Sequence, residues 1–176
     1  MDKVLVKIVL THKDAKIPAY AKDGDAGCDV YAVPCDDMNR DDWVPPGFDY
    51  SVLDERMNYH RVVAGDYTIE PGGTTMIDLG FRIQLEPGWE MQVRSRSGMS
   101  KYGLVVANSP GTIDSGYRGP CMVLIHNNTN DVRVISPGTR VAQFVLKRAP
   151  QAEFIQVDEL DITDRGEGGF GSTGTT

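Results

Sequence analysis

The chain has 176 residues, which is about the length of one domain and enough to bury a sizeable core. Its 40% hydrophobic and 24% charged residues are typical of soluble globular proteins, and no apolar run approaches the length of a membrane span. The formal net charge of -7 argues against duplex nucleic acid and an anionic membrane as partners. A small anionic substrate stays compatible with this charge, because a local arginine cluster can outweigh it.

The cysteines indicate reduced thiols and no zinc site. Cys28, Cys35 and Cys121 are odd in number and lack the spacing of a metal site, and no His/Cys pair suggests zinc. The first residues have neither a long apolar core nor a cleavage site, so no signal peptide is predicted. We therefore expect a soluble cytoplasmic protein with reduced thiols.

Apolar and polar residues alternate with a period of two along most of the chain, which predicts short β-strands. Gly/Pro turns separate these strands, and one helical turn is predicted over Ser97–Tyr102. Many short strands at close spacing indicate an all-β sandwich, jelly roll or barrel. In chain order the predicted strands are Lys3–Leu10, Thr74–Leu85, Trp89–Arg94, Met122–Asn127, Asp131–Ile135 and Arg140–Lys147.

Residues 36–60 interrupt this alternation with clustered acidic residues and the turn Pro45-Pro46-Gly47. The composition is typical of a solvated surface excursion. The alternative is an interface with another subunit or another protein. Both interpretations remain open from the residues alone.

Two segments place charges where strand residues are expected. Asp29 lies between apolar neighbours, where an unpaired carboxylate is costly, so it caps a turn or holds a hydrated Mg²⁺ ion. The segment Arg94–Ser100 carries two arginines and three hydroxyls before a helical turn. These groups favour an anion site, although basic strand ends are often only solvated.

Two later segments are also unusual. In the segment 108–119, turn formers frame Asp114 and Tyr117, which suits either a general base beside a flat ligand or a plain β-hairpin turn. In the segment 140–147, a period of two puts Arg140 and Gln143 on opposite faces of a strand. Gln143 lies between valines on its own face, so its amide needs a partner.

The last twelve residues, from Arg165 to Thr176, contain five glycines and few side chains. Such a segment holds no structure by itself and is typical of a disordered tail. Its arginine, Phe170 and the hydroxyls of Ser172 and Thr173 are also the groups that clamp phosphate and stack on a base.

In chain order these segments resemble the five motifs of the trimeric dUTPase family. The resemblance covers nearly the whole chain except residues 36–60, and the tail matches from Arg165 to Gly174. Gly116 stands where an acidic residue is usual in the family, and Ser95 where proline is common. The four internal matches are Ala26–Ala32, Arg96–Gly98, Gly111–Gly119 and Arg140–Gln143.

The resemblance implies an all-β distorted jelly roll that assembles as a homotrimer and exchanges its tail between subunits. Residues 1–164 would form the β domain and residues 165–176 a flexible lid. Each active site would combine motifs one, two and four of one chain, motif three of another and the tail of the remaining chain.

The implied reaction is hydrolysis of dUTP to dUMP and pyrophosphate with Mg²⁺, and the resemblance also implies a role for each motif residue. Asp114 would activate the attacking water, and Asp29 would contact water around the metal. Tyr117 would pack under the deoxyribose and Phe170 on the uracil. The remaining substrate-binding residues would be Arg96, Ser97, Gly98, Asn108, Gly111, Ile113, Gln143, Arg165, Gly171, Ser172 and Thr173.

Two other functions compete with this one. dCTP deaminase shares the fold and uses a glutamate after motif three, but residues 115–130 contain no acidic residue. A regulatory protein on the same scaffold would use residues 36–60 to contact a partner, and that role is compatible with catalysis.

Overall fold

The computed structural model describes residues 3–35 and 65–169. Within these ranges the chain forms eleven strands and one helical turn, α1, in an all-β arrangement. The strands are β1 Lys7–Leu10, β2 Cys28–Tyr31, β3 Tyr67–Ile69, β4 Thr74–Asp78, β5 Phe81–Gln84, β6 Trp89–Arg94, β7 Leu104–Val106, β8 Gly111–Asp114, β9 Met122–Asn127, β10 Arg133–Ile135 and β11 Arg140–Arg148, and α1 spans Ser97–Ser100.

The strands pair in two larger sheets and two ribbons. The four-stranded sheet has the order β2-β11-β6-β8 and the three-stranded sheet the order β4-β9-β7, while β1 pairs with β5 and β3 with β10. All of these pairs are antiparallel. The four-stranded sheet matters most for function, because it carries segments of motifs one, three and four, and its strand β6 leads directly into motif two.

Alternation along the strands places one face of each large sheet in a common core. On β11, Phe144 is buried and its ring meets Phe81 edge-on, with the centroids 6.0 Å apart. From the other sheet, Val123 and Ile125 are also almost fully buried. Burying an aliphatic side chain of this size contributes about 1.5–3 kcal/mol, so the core stabilises the sheet that holds the site.

The predicted strand Thr74–Leu85 is in fact two strands. Gly80 has a φ of +71°, and its N–H donates to the Asp78 carboxylate at 2.7 Å, which turns the chain between β4 and β5. A Cβ at Gly80 would lie 2.7 Å from Val33 and 2.8 Å from His12, so only glycine fits. The alternation continues through this turn, which is why the pattern alone does not reveal it.

The other strand predictions vary in accuracy. Trp89–Arg94 and Met122–Asn127 are confirmed with their bounds. The strands β3 and β7, three residues each, were not predicted, and Gly111–Asp114 was treated as part of a loop although it forms β8. The predicted excursion 36–60 lies outside the described residues. In the described part of the chain, no helix has the length and hydropathy to cross a membrane.

Candidate active site

The strand β8 and the turn after it carry Asp114 and Tyr117. Gly111 and Ile113 face the core, so Thr112 and Asp114 face outward. The N–H of Tyr117 donates to the Asp114 carbonyl at 3.1 Å and closes a four-residue turn. Arg118 fixes the turn from outside, because its Nη1 donates to the carbonyls of Ser115 and Tyr117 at 2.6 Å each.

Beside this turn lies a cleft of about 260 Å³, which we call the Tyr117 cleft. Its floor is apolar, and Asp114 and Asn108 are exposed at its rim. Within the described residues, the Asp114 carboxylate accepts no hydrogen bond, so both oxygens are available to a ligand or a water molecule. The lining residues are Met76, Val93, Asn108, Gly111, Thr112, Ile113, Asp114, Tyr117, Pro120, Cys121, Met122 and Leu124.

The Tyr117 ring is anchored at both ends. Its hydroxyl donates to the carbonyl of Pro120 at 3.0 Å, while its backbone N–H is held by the turn. Burial, with a contribution from Cys121, raises the pKa of Tyr117, although Arg82 acts in the opposite direction. The phenol is therefore neutral at physiological pH and remains a donor to Pro120.

The start of β8 positions Asn108. The peptide bond between Ser109 and Pro110 is cis, and the chain enters β8 at Gly111 directly afterwards. A Cβ at Gly111 would lie 3.0 Å from Nδ2 and 3.3 Å from Oδ1 of Asn108. The glycine thus leaves room for the Asn108 amide to lie against the backbone at the rim of the cleft.

The second group of predicted residues gathers around Asp29, and we call Asp29, Arg96, Arg140 and Gln143 the Asp29 cluster. Asp29 is only 7% exposed. Its Oδ1 accepts from Arg96 Nε at 2.8 Å and from Gln143 Nε2 at 3.4 Å, and its Oδ2 accepts from Arg140 Nη1 at 3.2 Å. Asp29 is therefore an ion-paired residue, and the partner that Gln143 needs is this carboxylate.

The electrostatics of the Asp29 cluster follow from these contacts. Burial by itself raises the pKa of Asp29, but the hydrogen bond and charge of Arg96, with Gln143 and Arg140, outweigh it and lower the pKa below its ordinary value. The carboxylate is thus charged at neutral pH. Two guanidinium groups against one carboxylate leave a net positive charge, which suits an anionic ligand.

Arg140 was expected on the face of β11 opposite Gln143, and this expectation is wrong. The pairing of β2 with β11 shifts register between Arg140 and Ala142, which marks a β-bulge at Val141. The extra residue turns Arg140 toward the face of Gln143, where it reaches Asp29. Arg140 is thus a residue of the site for which the sequence predicted no role, and its place within the fourth motif was the available signal.

The remaining predicted residues are placed as follows. Ser97 and Gly98 are exposed on α1, and a Cβ at Gly98 would lie 3.9 Å from Arg96 Nη1. Arg165 is exposed and its Nε donates to the carbonyl of Gly168 at 3.0 Å within a local turn. Phe170, Gly171, Ser172 and Thr173 lie outside the described residues.

The Tyr117 cleft and the Asp29 cluster lie well apart in one chain. Gln143 and Arg94 lie opposite each other on the outer face of the sheet, whereas Val93 and Ile113 face inward and line the cleft. Asp114 lies opposite Glu90, four residues along β6 from Arg94. Three strand spacings and this offset separate Asp29 from Asp114 by about 19 Å.

Comparison with known proteins defines the class. The sequence model of the dUTPase family matches residues 54–174, and the chain belongs to this family. Deoxyuridine 5'-triphosphate nucleotidohydrolase of Fusobacterium nucleatum is 35% identical over 175 residues, which is 99% of each chain. The protein of the same name from Caulobacter vibrioides is 39% identical over 162 residues, covering 92% of this chain and 87% of that one.

Solved structures confirm the jelly-roll fold. The dUTPase of Staphylococcus bacteriophage 80alpha with dUPNHPP superposes with a TM-score of 0.73 at 23% identity, covering 97% of this chain and 98% of that one. A mutant dUTPase of phage phi11 of S. aureus, studied for its coordination of a structural Mg(II) ion, has a TM-score of 0.66 at 20% identity, covering 90% and 99%.

Proposed function

We propose that the protein hydrolyses dUTP to dUMP and pyrophosphate. The observation that carries this proposal is the Tyr117 cleft, in which an aromatic ring and an unpaired carboxylate are held on the same turn. The name shared by the bacterial relatives points to the same reaction. The cleft is smaller than most sites for whole drug-sized ligands, so it suits the nucleoside part of a nucleotide.

In this proposal the cleft holds the uracil and the sugar. The Asn108 amide and the backbone of Gly111 and Ile113 supply hydrogen bonds to the uracil edge, while Tyr117 packs against the deoxyribose. Because the Tyr117 ring is held at its hydroxyl and at its backbone, it does not move aside to make room for a 2′-hydroxyl on the sugar. A ribonucleotide is then rejected because its hydroxyl would either clash or lose its hydration without gaining a partner.

Asp114 acts as the general base. It accepts a proton from a water molecule whose oxygen forms a bond to the α-phosphorus, while the bond from that phosphorus to the bridging oxygen breaks. Pyrophosphate leaves with the electron pair of the broken bond. The absence of a hydrogen bond to the Asp114 carboxylate within the described residues leaves it free for this role.

The Asp29 cluster binds the triphosphate, with help from Ser97 and Gly98 at α1. Its net positive charge offsets the charge of the phosphates, and Arg140 supplies a second guanidinium beside Arg96. No group of three or more His, Cys, Asp or Glu side chains placed to hold a metal occurs among the described residues.

Mg²⁺ fits the Asp29 cluster through its water molecules. The ion keeps most of its waters in proteins, and Asp29 is a hard oxygen acceptor for them. Gln143 donates through its Nε2, so its amide oxygen also remains an acceptor. When bound, Mg²⁺ would neutralise part of the phosphate charge; Asp29 and Gln143 would orient its water shell.

We further propose a homotrimer with shared sites. Because about 19 Å separates Asp29 from Asp114 in one chain, one chain does not bring both to the same triphosphate, and a second copy supplies the missing part. The segment after β11 also projects large apolar side chains into solvent: Phe154 is 94% exposed, Leu160 87% and Ile162 100%. Exposed apolar groups of this size usually mark an interface.

We also propose that the chain is divided into a β domain and a lid. Residues 1–164 form the β domain, and residues 165–176 form a lid that orders over bound substrate. Arg165, Phe170, Gly171, Ser172 and Thr173 then contact the phosphates and the base, and the closed lid excludes bulk water. A free glycine-rich tail suits a lid that must open again for product release.

The activity is tested by pyrophosphate release from dUTP, with dCTP, dTTP and UTP as comparisons, with and without Mg²⁺. We expect rapid release from dUTP with Mg²⁺ and little from the other three nucleotides. Ammonia release from dCTP would instead support a deaminase. Absence of pyrophosphate release from dUTP would overturn the proposal.

Shared sites are tested by mixing two inactive variants. Asp114→Asn chains lack the base and Arg96→Ala chains lack the phosphate contact, but a mixed trimer contains some sites built from the intact half of each. Activity should return after the two proteins are unfolded and refolded together. Mixing each variant with itself is the matched control, and no recovery in mixed trimers would contradict shared sites.

A further inference from the structure

We propose that Gly119 is a positioning residue that keeps the Tyr117 ring out of the nucleoside part of the cleft. The proposal rests on the proposed function, because it assigns the cleft to the nucleoside of dUTP. Gly119 itself touches no substrate. It acts through the Tyr117 ring, which occupies the space that a side chain at residue 119 would fill.

The space at Gly119 is filled by Tyr117. A Cβ built on Gly119 would lie 2.6 Å from Cζ and 2.9 Å from Cε2 of the ring, and it would overlap the hydroxyl oxygen. Real Cβ atoms do not approach other heavy atoms this closely, so one of the two must move. Interiors packed at crystal density transmit such a displacement to their neighbours.

The backbone at Gly119 does not itself require glycine. Its φ lies outside the left-handed region, and the following Pro120 disfavours only a helical conformation at residue 119, for alanine as for glycine. An alanine at this position is therefore strained only through its contact with the ring. The substitution is a specific probe of the position of the ring.

The direction in which the ring must move is set by the cleft. Tyr117 and Pro120 line the cleft and Gly119 does not, so the ring separates Gly119 from the ligand space. A methyl group at residue 119 drives the ring toward that space. The movement also breaks or lengthens the hydrogen bond from the Tyr117 hydroxyl to the Pro120 carbonyl.

Gly116 provides a matched control in the same turn. It is exposed, its φ also lies outside the left-handed region, and a Cβ there would meet nothing within 4 Å. Gly116→Ala and Gly119→Ala thus make the same chemical change three residues apart. Only the second places a methyl group against the ring.

The kinetic test uses the full-length protein with dUTP and Mg²⁺. Gly119→Ala should raise KM about tenfold or more with a much smaller change in kcat, because a narrowed cleft weakens ground state and transition state alike. Gly116→Ala should leave both unchanged. A KM for Gly119→Ala equal to that of Gly116→Ala would overturn the proposal.

Removal of the ring separates positioning from a general loss of structure. In a Tyr117→Ala background, Gly119→Ala should cause no further rise in KM, because the group that it displaces is absent. An equal rise in KM in both backgrounds would show that Gly119 acts independently of Tyr117, and would overturn the proposal.

A second readout does not depend on activity. In protein labelled with ¹³C-tyrosine and free of ligand, Tyr117→Phe identifies the ring signals of Tyr117. Gly119→Ala should shift these signals and Gly116→Ala should not; unchanged signals in both would overturn the positioning role. If the wild type releases no pyrophosphate from dUTP, the proposed function fails, and these spectra still decide whether Gly119 places the ring.

Discussion

Gln143 and Asp29 lie directly opposite each other on β11 and β2, and the Gln143 amide donates to the Asp29 carboxylate at 3.4 Å. The same carboxylate also accepts from Arg96 and Arg140. One buried acidic group thus orients three side chains that come from two distant segments of the sequence, Arg96 after β6 and Arg140 and Gln143 on β11. The phosphate-binding residues of the proposed site are held in place before any substrate arrives, which lowers the entropy cost of binding.

Replacement of Asp114 by asparagine should abolish turnover and leave nucleotide binding largely intact. The amide keeps the shape of the side chain but does not accept a proton from water, and loss of a general base costs about 10²–10⁴-fold in rate. Pyrophosphate release measures kcat, and calorimetric titration with a non-hydrolysable dUTP analogue measures binding. Glu86→Gln, an exposed change in the turn after β5, is the control. Unchanged turnover would remove Asp114 as the base.

Truncation before Arg165 should preserve the oligomer and strongly reduce hydrolysis. The residues removed are those of the proposed lid, and they carry its arginine and its aromatic ring. Light scattering reports the oligomeric state and pyrophosphate release the activity. Removal of only Thr175 and Thr176, which lie past the matched motif, should have no effect. A fully active chain without residues 165–176 would contradict the lid.

Deletion of residues 36–60 should spare dUTP hydrolysis. Cys35 and Gly65, which flank residues 36–64 in the sequence, lie side by side, since the Cys35 N–H donates to the Gly65 carbonyl at 3.0 Å. A short glycine-serine linker can therefore bridge the deletion without pulling on β2 or β3. The measurements are kcat/KM for dUTP and the mass of the assembly. Lost activity with an intact assembly would place the segment in the site, and a lost assembly would place it in the subunit contact.

Replacement of Asp29 by asparagine should destabilise the protein at pH 7 by about 2 kcal/mol, the usual worth of hydrogen bonds to a charged group. The folded-state pKa of Asp29 is lowered from 3.8, so its stabilisation is fully present above that value and is lost as the pH falls through the folded-state pKa. Urea unfolding at pH 7 and near pH 3 measures the difference from the wild type.

The difference in the free energy of unfolding between the wild type and Asp29→Asn should therefore be smaller near pH 3 than at pH 7. Asp23→Asn, an exposed change near the same strand, is the control and should have little effect at either pH. An equal difference in unfolding free energy at both pH values would show that the charge of Asp29 contributes nothing to stability.

The sequence by itself predicted the all-β class, because alternation with a period of two is a local property that each strand carries independently. It also predicted the family, since the five motifs are short runs that are recognised without knowing how they meet. Strands such as Trp89–Arg94 and Met122–Asn127 were predicted with their bounds, since each has a clear alternation and a turn at each end. The strand Gly111–Asp114 was missed because its four residues are surrounded by turn formers.

Only the tertiary structure decided which side chains meet. The bulge at Val141 turns Arg140 onto the face of Gln143, and no pattern in the sequence distinguishes this from a regular strand. The pairing of β2 with β11 joins residues that are 114 positions apart, and it brings Gln143 and Arg140 to Asp29. Side-chain contacts of this kind depend on register and twist across several strands, which long-range packing determines and local sequence does not.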